Sequence, residues 1–220
     1  MTTQHETTRV RAVSFLLRVE LPDVPGSLGR VASAIGMAGG DIEAIEIVEK
    51  RSDGVAVDDV LLDVPSGVMP DTVVSACNGV DGVRVVWVSR YAAGGNLFMD
   101  LEAVEELTVS PSQALDKLVD LLPVTFRADW AARVHRADGV VYATGASPSD
   151  LSFVEIVRAK RIELPGDELN MVVAAHLDGN QTVLVGRRGG PDFVDSEVAR
   201  VGHLTGLAAS IYRADPSAEF

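Results

Sequence analysis

Residues 18–50 read RVELPDVPGSLGRVASAIGMAGGDIEAIEIVEK, and the hydrophobic period changes partway through them. Just before and into this run, Phe15, Leu17, Val19 and Leu21 alternate with Arg18 and Glu20, which predicts a half-buried strand. Pro22, Pro25 and Gly26 break it. From Ser27 the period becomes helical, with Leu28, Val31, Ala32 and Ile35 on one face, and Gly39 and Gly40 end the helix. A second strand is expected over Asp41–Arg51.

The join between first strand and helix, Asp23, Val24, Pro25, Gly26, Ser27 and Leu28, is where chemistry is expected. N–H groups of a first helical turn have no intrahelical acceptor and carry the positive end of the helix dipole, so a carboxylate can settle there. A side chain at Gly26 would obstruct a ligand's approach to the backbone, and Pro25 stiffens the entry. Carboxylates at Asp23 and Asp41 are candidates to receive an ammonium group. Together these suit a zwitterion. Taken alone, the same residues also fit a plain tight turn with Asp23 capping the helix.

Working outward, a third strand is expected over Ala56–Val64, then a short helix after Pro70 burying Val73 and Cys77, then a fourth strand over Val83–Val88. The order strand, helix, strand, strand, helix, strand is that of a ferredoxin-like two-layer fold. The Ala/Gly-rich run Tyr91–Asn96 is expected to be a hinge. Beyond it, Leu115, Leu118, Val119 and Leu122 share a helical face. Strand pairs are expected at Trp130–His135 with Val140–Thr144 and at Leu169–Leu177 with Thr182–Gly186, and a short helix at Phe153–Lys160. A closing helix begins near Asp195. The predicted class is α+β. The expected division is a flexible tail over 1–14, a first domain over 15–91, a linker over 92–100, a second domain over 101–214 and a tail over 215–220.

Composition narrows the function. The net charge of −13 over 220 residues disfavours nucleic acid and anionic membranes, and the densest cations, Arg158, Lys160 and Arg161 or Arg187 and Arg188, are not interleaved with aromatics. One cysteine and four dispersed histidines cannot assemble the usual metal ligand sets, so neither metal nor cofactor is expected. The opening MTTQHETTRVRAV lacks the apolar stretch of a signal peptide, which favours the cytoplasm. No catalytic constellation stands out. Ser147 and Ser149 flank Pro148 in a loop, Cys77 reads as a small buried hydrophobe, and Arg187 and Arg188 as solvated turn residues. Adjacent acids such as Asp58 and Asp59 point to opposite faces and are expected to be solvated charge.

The run from Arg18 to Lys50 resembles the opening of ACT domains, which pair a D-x-P-G-x-L-type turn (Asp23, Pro25, Gly26, Leu28) with a G-x-[ND]-I strand start (Gly39, Gly40, Asp41, Ile42). The resemblance extends over roughly Phe15 to Tyr91. It implies a free amino acid bound between two ACT domains of a homodimer, with Asp23 to Leu28 of one chain facing Asp41 and Ile42 of the other. Some amino-acid-binding members have asparagine at the positions of Asp23 and Asp41, and two aspartates here make that edge more anionic. The segment TVLVGRRGGPDFVDSEVARVGHLTGLAASI within Leu169–Tyr212 resembles the last strand and closing helix of GAF domains, implying an antiparallel sheet flanked by helices. The resulting expectation is a non-catalytic amino-acid sensor. The alternative is an adaptor without a ligand, whose second half binds a target protein.

Overall fold

The computed structural model describes residues 12–90 and 95–216; most of the expected N-terminal tail, Tyr91–Gly94 of the expected hinge, and residues 217–220 of the expected C-terminal tail lie outside them. The described residues fall into two compact units, one within Met1–Ala93 and the other within Gly94–Phe220.

The first unit runs β1 (Ala12–Pro22), α1 (Ser27–Met37), β2 (Asp41–Lys50), β3 (Val55–Pro65), α2 (Pro70–Asn78) and β4 (Arg84–Arg90). Its sheet has the order β2-β3-β1-β4 with every pair antiparallel, the ferredoxin-like arrangement. The alternation of β1 sets the layers: Phe15, Leu17, Val19 and Leu21 pack with Val60, Leu62, Val31, Ile35, Val73 and Cys77. Each such aliphatic side chain withdrawn from water contributes about 1.5–3 kcal/mol. Bulges in β2 between Ile42 and Ala44 and between Ile47 and Glu49 account for its imperfect alternation.

On the other face of β1 and β3, Arg18 and Asp59 are 2% and 1% exposed and joined by two hydrogen bonds, Nε to Oδ1 at 2.7 Å and Nη2 to Oδ2 at 2.9 Å. Trp87 of β4 lies against the guanidinium.

The second unit comprises α3 (Gly95–Val109), a 3-10 turn at Pro111–Gln113, α4 (Ala114–Phe126), β5 (Trp130–His135), β6 (Gly139–Ala143), β7 (Lys160–Leu164), β8 (Asp167–His176), β9 (Gln181–Arg188) and α5 (Asp195–Ala214). The strands form an antiparallel sheet in the order β6-β5-β9-β8-β7. One face, with Ala131, Val173, Val183 and Val185, packs on Leu118, Leu122, Phe126 and Val201 of the helices. The other, with Trp130, Ala132, Val172 and Leu184, is covered by Leu151, Phe153 and Ile156.

Two expectations change here. Phe153–Lys160 is not a helix: residues 151–156 have no regular structure, and Lys160 opens the strand β7. Val154, Ile156 and Val157 are poor helix formers, and a bare apolar sheet face gives Leu151 and Ile156 more burial than a helix turn would. Arg187 is not a solvated turn residue but a buried one on β9. It donates to the carbonyls of Phe126 and Pro191 and to Glu197 of α5, and lies over the ring of Phe193. Its neighbour Gly186 sits opposite Trp130, and a Cβ there would meet the indole at 2.0 Å, so only glycine fits. No helix among the described residues is long and apolar enough to cross a membrane.

Candidate functional site

Between β1 and α1 the chain turns in four residues, Asp23 to Gly26. The N–H of Val24 donates to the Pro22 carbonyl at 2.8 Å, and that of Ser27 to the Val24 carbonyl at 3.2 Å. Gly26 caps α1 with φ 89° and ψ −10°. This left-handed conformation excludes most L-residues, so Gly26 has a reason to be glycine that needs no ligand. The position its Cβ would take is nonetheless open, with nothing within 4 Å. The first helical hydrogen bond runs from the Arg30 N–H to the Gly26 carbonyl, so the N–H groups of Leu28 and Gly29 have no acceptor within the helix. Arg30 also donates to the buried hydroxyl of Ser27 at 3.2 Å, which places a guanidinium at this helix end. A carboxylate at the α1 N-terminus would meet N–H donors, the dipole and this cation together.

Asp23 does not cap the helix. Its carboxylate accepts two hydrogen bonds from Lys50 Nζ at 3.0 and 3.1 Å, across the turn from the end of β2. Its N–H donates to the Gly54 carbonyl, which ties the turn to the β2–β3 connection. Val24 and Pro25 are exposed and Leu28 is half-buried against the core.

The acid beneath this turn is Asp58. Strand register sets it opposite Val19 on β1 and Ile47 on β2. It therefore shares the helix-covered face with Val19 and Val60, and is 2% exposed. Its Oδ1 is buried without a hydrogen-bond partner. Burial pushes the Asp58 carboxyl above its usual range, the negative charges of Asp23 and Asp59 push it further, and Lys50 opposes them. Both members of the Asp58–Asp59 pair are thus buried rather than solvated, one paired and one not. The sequence carried a signal for this: the alternation that puts Ala56, Val60 and Leu62 in the core puts Asp58 there too.

The remaining expected residues lie elsewhere. Asp41 pairs with Asp63 and Ile42 with Leu62, at the end of β3 opposite that where Lys50 meets Ala56. Seven residue steps along β3, from Asp63 to Ala56, separate the two ends, about 23 Å. Within one chain the turn and the start of β2 are not brought together. Asp41 is exposed and Ile42 packs partly into the core.

On the far side of β1's end, Glu20 binds Arg51 at 2.8 Å and Arg84. Burial alone would raise the Glu20 carboxyl, but the hydrogen bonds from Arg84 and Arg51 outweigh it and hold it below its usual range. The second unit has a cleft of about 1080 Å³ along β7 and β8, lined by Val154, Arg161, Ile162, Leu164, Asn170 and Val172 among others. Asn170 is fixed there by Trp130 Nε1 at 2.9 Å. Among the described residues no three His, Cys, Asp or Glu side chains are placed to share a metal ion.

No family model matches the chain. A stretch of 33 residues is 61% identical to NAD-dependent malic enzyme 1 of Bacillus subtilis (strain 168), making up 15% of this chain and 8% of that protein. The chain therefore covers only a small part of that relative's length. Among solved structures, a GAF domain from Pseudomonas syringae pv. tomato is 14% identical with a TM-score of 0.43, covering 54% of this chain and 86% of that one. The GAF domain of an Acinetobacter phosphoenolpyruvate-protein phosphotransferase is 13% identical with a TM-score of 0.43, covering 56% and 95%. An unknown protein from Galdieria sulphuraria is 11% identical with a TM-score of 0.32, covering 92% and 95%.

Proposed function

We propose that the chain is a non-catalytic regulatory protein whose first unit is an ACT-type domain binding a free amino acid at the β1–α1 turn. The observation that carries this reading is the α1 N-terminus. Gly26 leaves open space over it, the Leu28 and Gly29 N–H groups lack helical acceptors, and Arg30 stands beside them. In this reading the amino acid's carboxylate lies on those N–H groups. Asp41 and Ile42 of a second copy close the site, which fits their distance from the turn within one chain. The second unit, with its antiparallel sheet flanked by helices, is read as GAF-like and as the part that passes on or receives the regulatory state.

Isothermal titration with each of the twenty amino acids tests the reading, repeated on Arg30→Ala and Gly26→Val. One amino acid binding the natural chain, and both variants more weakly, supports it. Undiminished binding to both variants moves the site away from the turn, with the β7–β8 cleft next to be tested. No binding by any of the twenty favours the adaptor reading, in which the first unit supplies only a dimer surface.

A further inference from the structure

We infer that Asp58 receives the positive charge of the ligand, and that the site beneath the β1–α1 turn therefore selects molecules carrying an ammonium group as well as a carboxylate. The inference rests on the proposed binding at that turn and assigns a residue and a ligand class to it. Asp23 and Asp41 were the acids expected to meet the amine. Asp23 is already engaged by Lys50 through both carboxylate oxygens, and Asp41 of the same chain is at the other end of the sheet, so only a second copy's Asp41 reaches the turn, closing it from outside. Asp58 is the acid left on the helix-covered face, below the same turn, with Asp23 and Lys50 near enough to act on it electrostatically.

Its state in the free chain is costly. A buried acceptor without a hydrogen bond loses its hydration and gains nothing in exchange, and the cost is larger when the group is charged. Asp58 Oδ1 is in that condition. A ligand ammonium would supply the missing donor and offset the repulsion between Asp58 and the nearby Asp23 and Asp59. The complementary end of the ligand has its own partners in the first-turn N–H groups and Arg30. The two ends differ in kind, one a helix terminus and the other a buried acid, so the site has polarity and orients what it binds. A molecule with the carboxylate alone would leave Asp58 unsatisfied. A molecule with the amine alone would leave the helix end to water.

The test uses the full chain and titrates each of the twenty amino acids into the natural protein, Asp58→Asn and Asp58→Ser. For any that binds, the carboxylic acid of the same carbon skeleton without the amine is titrated as well. A charge-assisted hydrogen bond corresponds to about tenfold or more in affinity. The expected result is a loss of at least tenfold in both variants for the amino acid. The amine-free acid should bind the natural chain weakly and the variants no worse. Circular dichroism and a melting curve of each variant without ligand establish that the fold is intact. Removing a buried charge that has no partner should leave both at least as stable as the natural chain near neutral pH. Equal affinity of the amino acid for the natural chain and both variants overturns the role of Asp58, while weaker binding to Arg30→Ala in the same series leaves the turn as the site. Binding of the amine-free acid as tightly as the amino acid also overturns it. No binding by any of the twenty removes the parent reading and this inference with it.

Discussion

Asp59 meets Arg18 through two hydrogen bonds, while Asp58, one residue earlier on the same strand, leaves Oδ1 without a partner. Substitution should separate them. Asp59→Ala strands a guanidinium that is 2% exposed, and the expected cost is about 3–5 kcal/mol, read from urea unfolding. Asp58→Asn should be neutral or stabilising at pH 7. The sign of the pH dependence follows from the raised Asp58 carboxyl. The folded state holds that proton more tightly than the unfolded chain, so its contribution is fully present below the unfolded value near 3.8 and is lost as pH rises through the folded one. The advantage of Asp58→Asn over the natural chain should therefore grow from pH 4 towards neutrality. A constant difference would contradict the assignment. Glu20 acts in the opposite sense. Its carboxyl is held low, so its contribution is present above the unfolded value near 4.5 and is lost as pH falls, and Glu20→Gln should cost stability at pH 7 but little in acid.

At the scale of elements, α5 and the β1–α1 turn depend on side chains or conformations that propensity does not reveal. Glu197 accepts the Val194 N–H at 2.9 Å, closing the first turn of α5, and its other oxygen meets Arg187 at 3.1 Å. Arg187→Met removes the cation and leaves Glu197, 3% exposed, without it. The expected loss is about 3–5 kcal/mol, with an early loss of helical signal on heating. Gly26→Ala forces a Cβ into a φ of 89°, at roughly 1–2 kcal/mol, whether or not a ligand binds. The methyl group also enters the open space over the helix end, so the amino-acid affinity of this variant should fall together with its melting temperature.

Much of the first unit was legible because strand and helix periods follow each other cleanly from Phe15 to Ile35, and glycines and prolines punctuate the rest. The strand β7 was not, because Lys160–Leu164 is a short, partly exposed run whose pairing with β8 is a tertiary matter. The buried charges were missed for a different reason. Aspartate and arginine usually lie in water, and nothing in a residue's type announces that a partner far along the chain, Asp59 for Arg18 or Phe126 for Arg187, has withdrawn it.

For the whole molecule, the ferredoxin-like unit and the second unit each have their own cores, and the proposed site needs two copies for Asp41 and Ile42 to reach a turn that is about 23 Å away along the strands of their own chain. Light scattering at micromolar concentration should give twice the mass of one chain. Monomer alone, with and without amino acids, would contradict the shared site. The most direct measurement is a melting curve of the full chain with each of the twenty amino acids at millimolar concentration. A ligand at a hundredfold excess over its dissociation constant stabilises the native state by about 2.7 kcal/mol. At least one amino acid is expected to raise the melting temperature by roughly 5–10 °C. Twenty unchanged curves would contradict it.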